Sequence, residues 1–207
     1  SFHNPILFSK PETKQKMMAD EALVQRLADA AALCVDALKN GKKVMFAGNG
    51  GSAADSQHLA AEFVSRFNFD RPGLPSIALT TDTSMLTAIG NDYGFDKLFS
   101  RQVQANGVEG DVFVGISTSG NSVNIIKAVE QAKAMGIHTI AFCGTGGKLP
   151  SMCDITLNAP SDCTPYIQET HISFGHILCG IVEDPTSFLF TFFFDSSFTT
   201  SFSSSLT

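Results

Sequence analysis

Two short apolar runs, each broken by a polar turn and then followed by a long stretch without glycine or proline, constrain this chain most. The first is Val44-Met45-Phe46-Ala47, interrupted by Gly48-Asn49-Gly50-Gly51-Ser52 and continued from Ala53 through Arg66. The second is Val112-Phe113-Val114-Gly115-Ile116, interrupted by Ser117-Thr118-Ser119-Gly120-Asn121-Ser122 and continued from Val123 to Met135. A continuous apolar run without alternation reads as a strand buried on both faces, and the uninterrupted stretch reads as a helix. Strand, turn, helix, taken twice, implies βα units and a parallel sheet.

These turns carry the first chemical signal. Glycines let the backbone approach a ligand closely, and the first helical turn presents N–H groups at the positive end of the helix dipole. The first turn matches neither the dinucleotide fingerprint nor the phosphate-loop pattern, both of which place glycines differently. The second turn holds four hydroxyls and one glycine. A helix cap needs one hydroxyl, so four favour binding of a phosphate monoester without a lysine. His58 and Glu62 stand one helical turn apart, so imidazole and carboxylate leave the helix on one face. Such a pair is often a simple surface contact, but its apolar neighbours Leu59, Ala60, Ala61, Phe63 and Val64 imply a largely buried helix.

The remaining chain fits the same plan. Pro11 is expected to open a first helix. Asp20 is a natural N-cap for an amphipathic helix over Leu23, Leu27, Ala31, Cys34 and Leu38 that ends at Gly41. Arg71-Pro72-Gly73-Leu74-Pro75 reads as a turn and Ser76–Leu79 as a strand. Thr83-Ser84 is expected to cap a helix ended by Gly90, leaving Asn91-Asp92-Tyr93-Gly94-Phe95 as a polar loop. Phe99–Ala105 reads as a helix, His138–Cys143 and Asp154–Leu157 as strands, and Ser161–Pro165 as a loop. Ile167–Glu183 then forms a helix on which Gln168 and His176, two turns apart, share a face, while His171 points elsewhere. Only convergence with His58 and Glu62 would make His176 a ligand candidate.

Composition narrows the class. With 207 residues, 43% hydrophobic and 16% charged, the chain supports one well-packed domain. A net charge of −6 opposes general nucleic-acid binding. The five cysteines are odd in number and lack a C-x-x-C, which suggests buried thiols in a reducing, cytoplasmic setting. The first residue is Ser1 rather than Met, which suggests processing or a residue left from cloning, and no basic segment followed by an apolar core marks a secretory signal. No apolar run reaches the roughly 20 residues of a membrane span. From Asp184 the composition shifts to Phe, Ser and Thr without Lys or Arg, a divergent tail and an aggregation liability at Phe192-Phe193-Phe194.

Four segments in order, GNGGSAADSQHLAAEF (Gly48–Phe63), TAIGNDYGF (Thr87–Phe95), GISTSGNS (Gly115–Ser122) and IQETHISFGHIL (Ile167–Leu178), resemble the phosphoheptose isomerases of the sugar isomerase (SIS) domain family. The resemblance runs from about Ala19 to Glu183. It implies a flavodoxin-like three-layer α-β-α sandwich with a five-stranded parallel sheet. Residues 1–40 would form an N-terminal helical segment, 41–183 the SIS domain and 184–207 the tail. It also implies aldose–ketose isomerisation of a sugar phosphate in a homotetramer with sites at subunit boundaries, without a membrane or nucleic-acid partner. Asn49, Gly50, Gly51 and Ser52 would line the sugar site, with Arg66 near the substrate and Asn91 and Asp92 on its hydroxyls. Ser117, Thr118, Ser119 and Ser122 would hold the phosphate. His58, Glu62, Gln168 and His176 match the family's ligands for one Zn2+ per subunit, and Glu62 and His176 its acid–base pair. Gln168 would also lie against the substrate. Tyr166 replaces the arginine usual before Ile-Gln-Glu, and Cys163 and Pro165 alter the preceding loop. The competing reading is a non-catalytic SIS-fold binding protein of the kind that associates with replication initiators. Those relatives look altered at the positions of Glu62 and His176, both of which are present here.

Overall fold

The computed structural model describes residues 5–184, with side chains from residue 12 onward. Elements run in the order α1 (Pro5–Ala19), α2 (Glu21–Lys39), β1 (Val44–Gly48), α3 (Gly51–Val64), β2 (Ser76–Ala78), α4 (Thr83–Tyr93), a 3-10 turn (Phe95–Lys97), α5 (Leu98–Asn106), β3 (Val112–Ser117), α6 (Val123–Ala134), β4 (His138–Cys143), a second 3-10 turn (Leu149–Ser151), β5 (Ile155–Asn158) and α7 (Thr164–Glu183). The five strands are parallel in the order β2-β1-β3-β4-β5. This is the flavodoxin-like order, whose ligands bind outside the carboxyl ends of the strands.

Every residue of β1 and β3 is buried, as their unbroken apolar character requires. Successive side chains alternate between the two faces. Val44, Phe46, Val112, Val114, Ile116, Ile140, Phe142 and Leu157 pack with α2, α3 and α7 in one layer. Met45, Ala47, Phe113, Ala141 and Cys143 pack with α5 and α6 in the other. The three-layer sandwich is therefore the architecture that the two strand–turn–helix units imply.

The helix boundaries show where local reading works and where it does not. Asp20 caps α2 by accepting the Leu23 N–H at 2.9 Å, and Gly41 follows its end at φ +70°. Helix α1 begins at Pro5, where a missing N–H costs nothing, so Pro11 lies inside a helix it was expected to open. Asp82, not Thr83 or Ser84, caps α4, its carboxylate accepting the Met85 N–H at 2.8 Å. Gly90 does not end α4; the helix continues to Tyr93 and stops at Gly94, φ +85°. One internal glycine costs about 1 kcal/mol in a helix, which its neighbours override, whereas the left-handed conformation at Gly94 is one that glycine alone adopts readily. Asn91 and Asp92 are consequently helical rather than part of a loop. Pro165 lies in the first turn of α7 and Cys163 at its N-cap, so the expected loop 161–165 gives way to helix from Thr164. The tail and its phenylalanines lie outside the described residues.

Candidate active site

The glycine turn after β1 starts α3 at Gly51, which aims its third turn across the carboxyl edge of the sheet toward α7. The two helices pack closely because Gly175 faces Leu59; a Cβ on Gly175 would stand 2.4 Å from Leu59 Cδ2. That approach brings together residues 118 apart in the chain: His58 Nε2 and His176 Nε2 are 3.0 Å apart. Glu62 Oε1 lies 3.2 Å from His58 Nε2. One donor atom from each of His58, Glu62 and His176 falls within 4.8 Å of the others, the one such cluster of His, Cys, Asp and Glu among the described residues. Two imidazole nitrogens and one carboxylate oxygen suit Zn2+, whose 2.0–2.1 Å bonds separate tetrahedral donors by about 3.3 Å. The donor set and its spacing fit that ion.

Two residues that sequence spacing did not single out complete the surroundings. Asp55 lies three residues before His58 on α3. Burial raises its carboxyl above the ordinary range, against a smaller opposing pull from His58 and His176. Phe67, just beyond α3, sets its ring centroid 5.4 Å from that of His176, forming an apolar wall. The spacing of Asp55 from His58 was a readable signal; that of Phe67 was not, since it depends on how the chain turns after α3. Gln168 occupies the face of α7 two turns before His176, with its amide over Gly51, where a Cβ would stand 2.8 Å from Nε2. His171, on another face, is fully buried, and burial pushes its imidazole down to about 4. It is a neutral core residue.

The hydroxyl-rich turn after β3 lies at the start of α6. Ser117 Oγ and Ser122 Oγ are 2.8 Å apart, Ser119 Oγ accepts the Asn121 N–H at 3.2 Å, and the Thr118 carbonyl accepts the Gly144 N–H at 3.1 Å. Ser122 occupies the N-cap of α6 without a side-chain cap bond, and its carbonyl accepts the Ile125 N–H at 3.1 Å and the Ile126 N–H at 2.9 Å. The two turns are tied together by a reciprocal amide pair. Asn49 Nδ2 donates to Asn124 Oδ1 at 2.9 Å, and Asn124 Nδ2 donates to Asn49 Oδ1 at 2.8 Å. Asn49 thus spends its side chain on joining the turns, and Asn124, unnoticed in the sequence, is its partner. Ser52 is buried at the start of α3, and Gly50 is exposed beside it.

Three further candidates are exposed. Arg66 is exposed just past the end of α3. Asn91 and Asp92 are exposed at the end of α4, where the Asn91 amide donates to Asp92 Oδ1 at 2.8 Å, and α4 packs mainly on the 3-10 turn and α5. Asp92 is not a member of the His58, Glu62 and His176 cluster.

A doubly wound sheet with polar turns at its switch point and a His58, Glu62 and His176 cluster on the facing helices is the arrangement expected of a sugar isomerase (SIS) domain. The SIS domain model matches residues 12–144. The chain is 59% identical over 177 residues to a phosphoheptose isomerase of Aneurinibacillus thermoaerophilus, covering 85% of this chain and 89% of that protein. It is likewise 59% identical over 172 residues to phosphoheptose isomerase 2 of Campylobacter jejuni, covering 83% and 86%. Solved phosphoheptose isomerases from Neisseria gonorrhoeae (TM-score 0.80, 47% identity, 86% of this chain and 95% of that one) and Francisella tularensis (0.83, 41%, 87% and 95%) share the fold. The chain belongs to the phosphoheptose isomerases of the SIS-domain family, and it is an isomerase.

Proposed function

We propose that the chain converts sedoheptulose 7-phosphate to D-glycero-D-manno-heptose 7-phosphate, in the cytoplasm, for heptose used in bacterial surface polysaccharide. The observation that carries this reading is the convergence of His58, Glu62 and His176 from two helices at the carboxyl edge of the sheet. Isomerising a 2-ketose to an aldose moves one proton between C1 and C2 and another between the two oxygens, through an enediol. Glu62 and His176 supply the required carboxylate and imidazole, one removing the carbon-bound proton while the other serves the oxygen. Phe67 excludes water beside them. The Ser117–Ser122 turn and the α6 N-terminus bind the phosphate, and the turn after β1 lines the sugar. His58, Glu62, His176 and the Gln168 carbonyl oxygen would hold Zn2+, with Gln168 the weakest donor. When bound there, Zn2+ polarises the substrate carbonyl and stabilises the negative charge of the enediolate.

The direct test is incubation with sedoheptulose 7-phosphate, with and without chelator, following the aldoheptose phosphate. A zinc-loaded, assembled preparation that forms none would overturn the assignment. The phosphate grip has its own test. Ser119→Ala removes a hydrogen bond to a charged group worth about 1.5–3 kcal/mol, so KM should rise at least tenfold while kcat holds. An unchanged KM would remove Ser119 from the phosphate site.

The same reading carries a homotetramer with sites at subunit boundaries. Helix α7 leaves Ile177 (41%) and Ile181 (36%) exposed one turn apart, and Val64 (53%) is exposed at the end of α3. A boundary next to these helices would give Arg66, Asn91 and Asp92 a route to a neighbour's site. Light scattering should report a tetramer; an active, stable monomer would refute this. Among the described residues no helix is long and apolar enough to cross a membrane.

A further inference from the structure

Arg71 belongs to a turn that sequence alone presents as a plain connection. Its side chain is 13% exposed, and its guanidinium faces acceptors from both helices that carry the active-site cluster. Nη2 donates to the backbone carbonyl of Glu62 at 2.9 Å, and Nη1 donates to that of Phe63 at 2.8 Å. These carbonyls lie in the last turn of α3, where no later helical N–H is available. On its other side, Nε lies 3.2 Å from Glu183 Oε1.

Glu183 is the last residue of α7, and its side chain is fully buried. A carboxylate there stands at the negative end of the helix dipole and needs compensation. Besides Arg71, Glu183 accepts the N–H of Phe67 at 2.8 Å and that of Asn68. Burial alone would push the carboxyl up, but the amides of Asn68, Phe67 and Phe69 and the Arg71 charge outweigh it and hold it below its usual range. Seven residues separate Glu183 from His176, so both leave α7 near one face. One ion pair thus grips the Glu62 backbone, the end of the His176 helix and the Phe67 peptide, whose ring lies against His176.

We propose that Arg71 and Glu183 are positioning residues for the isomerase reaction. The pair fixes α3 against α7, and so sets the distance of His58 and Glu62 from His176 and the seat of the Phe67 ring. This rests on the catalytic reading of that cluster. A purely structural role predicts lost stability alone. Positioning predicts altered chemistry at the cluster as well.

The experiment compares Arg71→Lys, Glu183→Gln and Asp111→Asn in the full, assembled chain. Asp111 is the control: it is fully buried and paired with Lys43 Nζ at 2.6 Å, at the opposite end of the strands. Zn2+ titration is read first, then kcat and KM, then the thermal midpoint. In Arg71→Lys and Glu183→Gln the Zn2+ dissociation constant should rise about 10–100-fold, the usual scale for partners that orient metal ligands. With zinc saturating, kcat should fall while KM stays within about threefold, since the phosphate grip is elsewhere. Asp111→Asn should lower the thermal midpoint and leave Zn2+ affinity and kcat unchanged. The double variant of Arg71 and Glu183 should be little worse than either single one, because the two act as a unit. If Glu183→Gln fails to assemble, Arg71→Lys, which keeps the charge, carries the test. Both variants keeping wild-type Zn2+ affinity and kcat while losing thermal midpoint would overturn the proposal. A wild-type chain that binds Zn2+ but makes no heptose phosphate would refute the activity, and the titration would still decide the positioning role.

Discussion

Glu62→Gln is expected to lower kcat by roughly two to four orders of magnitude, the scale on which a positioned acid or base contributes. The substitution keeps the size of the side chain and one acceptor oxygen, and removes the charge and the basicity. KM should change little, because the proposed phosphate site is the turn after β3 and not α3. Glu62 is 24% exposed and 3.2 Å from His58 Nε2, so a neutral amide fits the same space without disturbing the core. Steady-state kinetics on the zinc-loaded variant checks this. A kcat near wild type would reduce Glu62 to a replaceable ligand.

His176→Asn should act on two measurements at once. It removes an imidazole from a cluster in which the His58 and His176 nitrogens are 3.0 Å apart, and it takes away the ring against which Phe67 packs. We expect kcat to fall by about two to four orders of magnitude. Zn2+ retention on dialysis should also weaken, by more than the roughly 10–100-fold expected when a ligand's supporting partner is lost. The comparison with Glu62→Gln divides the roles. If zinc is retained while kcat collapses in His176→Asn, the imidazole is the proton carrier and not a ligand. If activity returns at high zinc concentration, it is chiefly a ligand.

Much of the candidate site was legible because its signals are local. The His58–Glu62 spacing depends only on helical periodicity, and the two polar turns are marked by residues within a few positions of each other. The misread boundaries have equally local causes. Gly90 looked like a stop because glycine weakens helices, but the stop that operates is Gly94, where the backbone turns left-handed. Thr83 and Ser84 looked like caps, and Asp82 beside them holds the position. The long-range partners carried no such signal. Asn124 reads as one more polar helix residue until the β1–β3 pairing puts it opposite Asn49, 75 positions earlier.

What the sequence determined by itself is the set of elements and their order: unbroken apolar runs must be buried strands, and parallel strands need helical crossovers between them. It also determined which helix faces carry His58 with Glu62 and Gln168 with His176. Only the tertiary structure decided that these faces meet. That depends on the close approach of Gly175 to Leu59 and on an Arg71–Glu183 pair joining residues 112 positions apart. The physical reason is range. Helical and strand periodicities act over a few residues, while the distance between α3 and α7 is set by side-chain volume and buried charge at contacts that no local pattern encodes.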